Sequence, residues 1–198
     1  HVFHHIFVIV SLIIASSFYS VAGGERPGSP NNSRSRAEVE ISAGNTHSLT
    51  LIEGQVWSWG GNADKQLGRP GSASVAMLVS GSNNYFKAVA AGGNHSLALS
   101  ANGIVWAWGD NSVGQLGNGN TGTDLDIPTQ VVSLTMVKAI AGGGTSSYAL
   151  LANGTVWAWG DNSRGQLGNG TTVSSNTPVQ VLDGGSGVGT LDSIVAIA

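Results

Sequence analysis

Three near-copies of one short motif recur along this chain. They are Val-Trp-Ser-Trp-Gly at 56–60 and Val-Trp-Ala-Trp-Gly at 105–109 and 156–160. Each copy is followed by Gln-Leu-Gly, and the first Trp residues of successive copies lie 49 and 51 residues apart. Self-similarity at a fixed period is typical of folds that stack copies of one structural unit. The sequence therefore predicts a repeat architecture.

The composition favours short strands over helices. Glycine accounts for 30 of the 198 residues, charged residues for only 10% and hydrophobic residues for 41%. The hydrophobic content is too high for a disordered chain. A glycine-rich chain with few charges and recurrent Trp suits many short strands that are joined by tight turns.

Charge and cysteine content exclude several classes of site. From Ala37 onward the chain has five Lys or Arg and ten Asp or Glu, a net charge of −5. The five cations do not cluster as phosphate-backbone binding requires, so we expect no nucleic-acid partner. The chain has no cysteine, which excludes disulfides, Cys-ligated zinc and a thiol nucleophile.

The first 36 residues differ from the rest. An apolar run at 6–15 is followed by Ser20, Val21 and Ala22, which resembles the core and cleavage site of a secretory signal peptide. The sequence predicts a signal peptide or a membrane anchor at 1–22, and a flexible linker at 23–36. The expected location is secreted or at the cell surface, with membrane contact only if the segment stays uncleaved.

The second copy shows most clearly how one repeat is organised. Strands are predicted at 88–91, 96–99 and 104–108, with a hairpin turn at Asn102-Gly103. A fourth, outer strand is predicted at 130–132, preceded by Pro128. Four short antiparallel strands in about 50 residues predict one blade of a β-propeller, which needs neighbouring blades to bury its faces.

Three elements in fixed order identify a family resemblance. In the second copy they are Gly-Gly-Asn-His-Ser-Leu-Ala-Leu at 92–99, Asn-Gly-Ile-Val-Trp-Ala-Trp-Gly at 102–109 and Asp-Asn-Ser-Val-Gly-Gln-Leu-Gly at 110–117. This order resembles the repeat of the regulator of chromosome condensation (RCC1) family, including its secreted bacterial members.

The resemblance implies an all-β fold, the RCC1-like β-propeller. We expect a fragment of a seven-bladed ring at 37–198: about three four-stranded blades plus the first strand of a fourth. The repeats are expected at about 38–86, 87–136 and 137–192, and the fourth is expected to begin at 193.

The residues that recur in every copy are expected to be structural. They are the pairs Trp57/Trp59, Trp106/Trp108 and Trp157/Trp159, the glutamines Gln66, Gln115 and Gln166, and the glycines Gly68, Gly117 and Gly168. The tryptophans could stack on a ligand, but recurrence in every copy favours packing between blades. A ligand site would differ from blade to blade.

Other patterns have ordinary explanations. His47-Ser48 and His95-Ser96 are adjacent on a strand and point to opposite faces, so the histidines are expected to bond nearby backbone. Asp110 and Asp161 open loops that lack the later ligands of a calcium loop, and turn capping is favoured. The Gly-x-Gly-x-x-Gly pattern at 117–122 has no helix after it, which excludes a dinucleotide site.

Function is expected where the copies differ. Asp124, Leu125 and Asp126 lie in a variable segment and form a candidate partner-binding loop. No catalytic, cofactor or metal residues are predicted. The preferred interpretation is a non-catalytic extracellular or cell-surface module that binds an unidentified protein. The alternative is a guanine-nucleotide exchange factor for a small GTPase, and a propeller-based enzyme is a third interpretation without nominated residues.

Overall fold

The computed structural model describes residues 40–71, 73–80, 85–184 and 189–198, which form an all-β structure. The predicted signal or anchor at 1–22 and the linker at 23–36 lie outside the described residues. Among those that are described, no helix is long and apolar enough to cross a bilayer.

Three four-stranded antiparallel sheets follow one another along the chain. Blade 1 consists of β1 (Glu40–Ala43), β2 (His47–Ile52), β3 (Gln55–Gly60) and β4 (Ala73–Leu78). Blade 2 consists of β5 (Phe86–Ala91), β6 (His95–Ser100), β7 (Val105–Gly109) and β8 (Leu125–Gln130). Blade 3 consists of β9 (Val137–Gly142), β10 (Ser146–Leu151), β11 (Val156–Gly160) and β12 (Ser175–Gln180). A short hairpin, β13 (Leu182–Asp183) and β14 (Gly189–Thr190), comes after them.

The strands of each blade pair in the order in which they occur in the sequence. The first strands, β1, β5 and β9, lie next to one another in succession, and the fourth strands form the opposite edges of the sheets. The prediction of three four-stranded β-propeller blades is confirmed.

The part of the fourth blade is the segment 191–198. The N–H of Ile194 donates to the carbonyl of Gly154 at 3.1 Å. Phe86 and Val137, which begin β5 and β9, make the same bond to the preceding blade, at Gly54 and Gly103. The segment therefore occupies the position of a next first strand.

The hydrophobic core lies between the blades. One cluster joins blade 1, through Leu49 and Val56, to blade 2, through Val89 and Trp108. A second cluster joins blades 2 and 3 and includes Trp159. Sheets that bury both faces against neighbours explain why the inner strands have so few polar residues.

Two details of the second copy differ from the prediction. The outer strand β8 begins at Leu125 and ends at Gln130, so the predicted strand at 130–132 was wrong and Pro128 lies within the strand. In the hairpin turn only Gly103 has a positive φ, at +80°. The loop has three residues, Ala101 to Gly103, and a loop of this length needs a positive φ only at its last residue. Asn102 therefore keeps an ordinary backbone conformation.

Candidate functional site

The main-chain carbonyl of a glutamine lies at the centre of each junction between blades. The main-chain carbonyl oxygen of Gln66 in blade 1 accepts hydrogen bonds from Ser96 Oγ at 2.8 Å and Trp108 Nε1 at 2.9 Å, both in blade 2. At the next junction Gln115 accepts bonds of the same lengths from Ser147 and Trp159 of blade 3. These atoms are buried, so each blade is joined to the next by the same pair of bonds.

The histidines belong to the same junctions. Nε2 of His47 lies 2.9 Å from Ser96 Oγ, and Nε2 of His95 lies 2.8 Å from Ser147 Oγ. The expectation that these rings bond nearby backbone was wrong, because each ring bonds a serine of the following blade. Adjacent residues on opposite faces contact different neighbours.

The hydrogen bonds determine which protons these side chains carry. Each serine hydroxyl has one proton, and it is donated to the glutamine carbonyl. Nε2 of the histidine must then donate to the serine oxygen, so Nδ1 is the unprotonated nitrogen. Among the described atoms Nδ1 of His47 and of His95 has no hydrogen-bond partner. Burial accordingly lowers the pKa of both rings to about 4. A ring that donates to the serine does not act as its base.

The glycine after each Gln-Leu pair makes room for the tryptophan. A Cβ atom on Gly68 would lie 2.8 Å from Trp108 Nε1, and one on Gly117 would lie 2.7 Å from Trp159 Nε1. Both glycines also have a positive φ. Gly168 has the same backbone conformation, but the side chain beside it belongs to Val181.

The burial of the tryptophans follows their position in the blades. Trp108 and Trp159 are fully buried, whereas the equivalent Trp59 of blade 1 is half-buried, since no blade precedes it among the described residues. The first tryptophan of each pair, at 57, 106 and 157, is partly buried, and Trp106 and Trp157 pack against the cores of their junctions.

The loops after the third strands are held together by buried amides. Asn111 Oδ1 accepts the N–H of Leu116 at 3.2 Å, and its Nδ2 donates to the carbonyl of Asn120. Gln115 Oε1 accepts the N–H of Val113 at 3.0 Å. Gln66 and Gln166 brace their own loops in the same way.

The aspartates that open these loops cap them. Asp110 Oδ1 accepts the N–H of Ser112 at 2.8 Å, and Asp161 Oδ1 accepts the N–H of Ser163 at 3.0 Å. The bond from Ser163 lowers the pKa of Asp161. Both aspartates therefore act as turn caps.

Blade 3 departs from the pattern of the first two. Ser146 stands where they have histidine, and Tyr148 stands where blade 2 has Leu97. The Tyr148 hydroxyl donates to the carbonyl of Gln166 at 3.2 Å. This carbonyl corresponds to those of Gln66 and Gln115, which accept donors from the following blade. Tyr148 thus supplies from within blade 3 a bond that elsewhere comes from the next blade.

The candidate partner-binding residues divide between packing and surface. Asp124 precedes β8, and its Oδ1 accepts the N–H of Asn111 at 3.0 Å. Its carbonyl accepts a bond from Lys65 Nζ of blade 1 at 2.9 Å. Leu125 begins β8 and packs against the core, so the predicted loop is in part a strand. Asp126 and its neighbour Ile127 are exposed.

Carboxylates gather at this end of blades 1 and 2. Burial raises the pKa of Asp64, and the nearby charges of Asp110 and Asp124 raise it further. Asp126 lies two residues beyond Asp124. We call Asp64, Asp110, Asp124 and Asp126 the acidic rim. A surface where carboxylates neighbour one another favours a cationic partner.

Comparison with known proteins agrees with the repeat geometry. The family model described as "Regulator of chromosome condensation (RCC1) repeat" matches residues 53–99, 102–150 and 153–198, which is most of the chain. This chain belongs to the RCC1 repeat family. A related model of the same repeat matches 86–115 and 137–166.

The similar proteins are longer than this chain. The Ultraviolet-B receptor UVR8 of Arabidopsis thaliana is 36% identical over 160 residues, which is 75% of this chain and 36% of the relative. The human Regulator of chromosome condensation is 31% identical over 135 residues, 66% of this chain and 32% of the relative. This RCC1-repeat chain therefore spans about a third of either protein.

A solved structure shares the arrangement of the blades. The crystal structure of human WBSCR16 superposes with a TM-score of 0.66 at 30% sequence identity. The match covers 73% of this chain and 38% of the other.

Proposed function

We propose that this RCC1-repeat chain is a non-catalytic module that binds a protein with a basic surface through its acidic rim. The observation that carries the proposal is that recurring residues and blade-specific residues lie in different places. At the two described junctions, Trp108, Trp159, Gln66 and Gln115 are buried between blades, whereas Asp126 is both exposed and specific to blade 2. Variable exposed residues on a rigid scaffold are typical of binding surfaces.

The junction chemistry supports a non-catalytic role. The histidines and serines are the chain's most obvious candidates for a base and a nucleophile. Both serines donate to a carbonyl and both histidines are held neutral. Each serine already donates its one proton, and each neutral ring donates its one N–H to a serine, so these hydrogen bonds serve the packing of the blades.

Export to the cell exterior or the cell surface is the second part of the proposal. It rests on the resemblance of residues 1–22 to a signal peptide. The relatives named above come from a plant and from human, so the likeness to secreted bacterial members rests on this segment alone. Expression with the native N-terminal segment, followed by mass spectrometry of the exported protein, tests it. Retention in the cytosol with an intact segment would contradict export.

The rim is tested by neutralising one charge. Asp126→Asn removes an exposed carboxylate that makes no bond within the junctions, so the fold is expected to stay intact. Asp192→Asn is the matched control, because Asp192 is also exposed and the next residue, Ser193, lies against Gly154 at the other end of the strands. We expect proteins captured by the native chain from the source organism's own extract to be lost on Asp126→Asn and at high salt. They should be retained by Asp192→Asn, and equal capture by all three chains would refute the rim.

Similarity to the human Regulator of chromosome condensation favours one other function, guanine-nucleotide exchange on a small GTPase. The decisive measurement is release of a fluorescent guanine nucleotide from a Ran-type GTPase. Acceleration by this chain, in proportion to its concentration, would establish exchange activity in place of the non-catalytic role. The net charge of −5 from Ala37 onward gives no support to accompanying chromatin contact.

A further inference from the structure

The fourth strand of each blade forms the outer edge of its sheet, and the three edges are not alike. Ser58 pairs with Met77 in blade 1, Ala107 with Thr129 in blade 2 and Ala158 with Val179 in blade 3. The residues just before these partners are therefore equivalent, and they are Ala76, Pro128 and Pro178. Blade 1 alone of the three has a residue with a backbone N–H at this position.

The direction of that N–H follows from the ladder. Val79 donates its N–H to Val56 in β3, and Val131 and Val181 make the same bond in the other two blades. In an antiparallel pair successive N–H groups point alternately toward and away from the partner strand. The N–H of residue 77 therefore points toward β3, and that of Ala76 points away. Pro128 and Pro178 remove the outward donor from the edges of blades 2 and 3.

The side chains of β4 also suit an additional strand. The strand has the sequence Ala-Ser-Val-Ala-Met-Leu, with no charge. Val75, Met77 and Leu78 are 65%, 49% and 42% exposed. By contrast, β8 carries Asp126 at its edge. Proteins commonly protect exposed edges with charges and prolines, and β4 has neither protection.

We propose that β4 pairs with the β4 of a second copy of this chain, as antiparallel strands about a two-fold axis at Ala76. In this register the two Ala76 residues exchange outward N–H and C=O groups. Val75 of each copy lies opposite Met77 of the other, so exposed apolar side chains meet across the axis. The strand has no charge, and self-pairing therefore brings no like charges together. The two blades 1 would form one continuous eight-stranded sheet across the axis.

The self-complementarity of β4 identifies a second copy of this chain as its partner. A two-fold interface requires one patch that fits itself, and an uncharged strand with equivalent apolar residues on either side of its centre meets that requirement. The edges of blades 2 and 3 fail it, because each lacks the central donor. The inference is independent of the acidic rim, whose residues lie in blade 2 and in the loop before β4.

The test uses the residue that the other blades already carry. Ala76→Pro introduces the proline of blades 2 and 3, so the blade is expected to fold. The substitution removes the central pair of hydrogen bonds and raises the dimer dissociation constant about tenfold or more. Sedimentation velocity over a concentration series of the full chain measures it. A native chain that stays monomeric, or an Ala76→Pro chain that dimerises like the native one, would overturn the proposal.

A charge-swap pair identifies the two-fold axis itself. Ala76→Lys and Ala76→Glu each place two like charges opposite one another in the proposed dimer, so each variant alone is expected to be monomeric. An equimolar mixture should dimerise again, because Lys then faces Glu. The swap remains informative even if Ala76→Pro proves unstable. A mixture that stays monomeric, or single variants that dimerise like the native chain, would exclude pairing about residue 76.

Discussion

At the scale of single residues, one buried imidazole shows how the junctions set the chemistry of their groups. His95 donates through Nε2 to Ser147, and its Nδ1 has no partner among the described atoms. Protonation would add a second N–H in a place that offers no acceptor. Burial therefore keeps the ring neutral and lowers its pKa to about 4.

The stability of the fold is accordingly expected to decrease in mild acid. The unfolded chain takes up a proton on His95 near pH 6.5, whereas the folded chain does so only near pH 4. Between these values the unfolded state binds more protons, so stability falls as the pH falls. One such group contributes a slope of about 1.4 kcal/mol per pH unit. His47 adds to it in the same sense.

Urea unfolding at about pH 7 and about pH 5 measures this slope. His95→Gln keeps a side-chain N–H donor but does not titrate in this range, so its slope should be shallower than that of the native chain. Equal slopes in the two proteins would show that His95 is not a source of the acid sensitivity.

At the scale of elements, the loop that follows each third strand depends on one buried asparagine. Asn111 is fully buried and bonds both Leu116 and Asn120. Asn111→Ala leaves the buried N–H of Leu116 without its partner, and we expect it to lower the free energy of unfolding by about 2 kcal/mol. Chemical denaturation measures the loss. Ser112→Ala is the control, because Ser112 is exposed and its change should stay within about 0.5 kcal/mol.

The elements also show what the sequence could predict. The Trp, Gln and Gly positions recur because each junction needs them, so their period revealed the blades. The bounds of β8 were missed, since Pro128 suggested the start of a strand and in fact lies within an edge that needs no outward N–H. The bond between His47 and Ser96 was also missed, because its partners are 49 residues apart. One signal for it was present in the sequence: the His-Ser pair recurs at equivalent positions of blades 1 and 2, and its two side chains point to opposite faces of the strand.

At the scale of the whole molecule, the hydrogen bonds and core clusters of the described residues join each blade to its neighbour in the sequence. We expect damage to one junction to act locally, as in other repeat folds. Trp159→Phe removes the donor to Gln115 and leaves space beside Gly117, at a cost of about 2 kcal/mol. Hydrogen exchange should become faster in blade 3 while blade 1 keeps its protection.

The matched control for this experiment is Trp157→Phe. Trp157 lies in the same strand, but its Nε1 donates to Thr155 Oγ1 within blade 3 at 3.3 Å. Both tryptophans pack against the core between blades 2 and 3, so Trp157→Phe removes a similar volume there but no hydrogen bond between blades. A smaller effect of Trp157→Phe than of Trp159→Phe would assign the difference to the bond with Gln115. Equal acceleration of exchange in all three blades on Trp159→Phe would show that the molecule opens as one cooperative unit.

The main-chain carbonyl of the junction glutamine bears on how a repeat protein of this kind can gain further blades. Blade 2 accepts donors from the next blade at Gln115 and supplies Ser96 and Trp108 to the blade before it. Both halves of a working contact are thus encoded within a single repeat. A tandem duplication of that repeat would meet a complementary surface on either side without any new mutation. The geometry of the junction is therefore compatible with growth of the chain by copying of whole repeats.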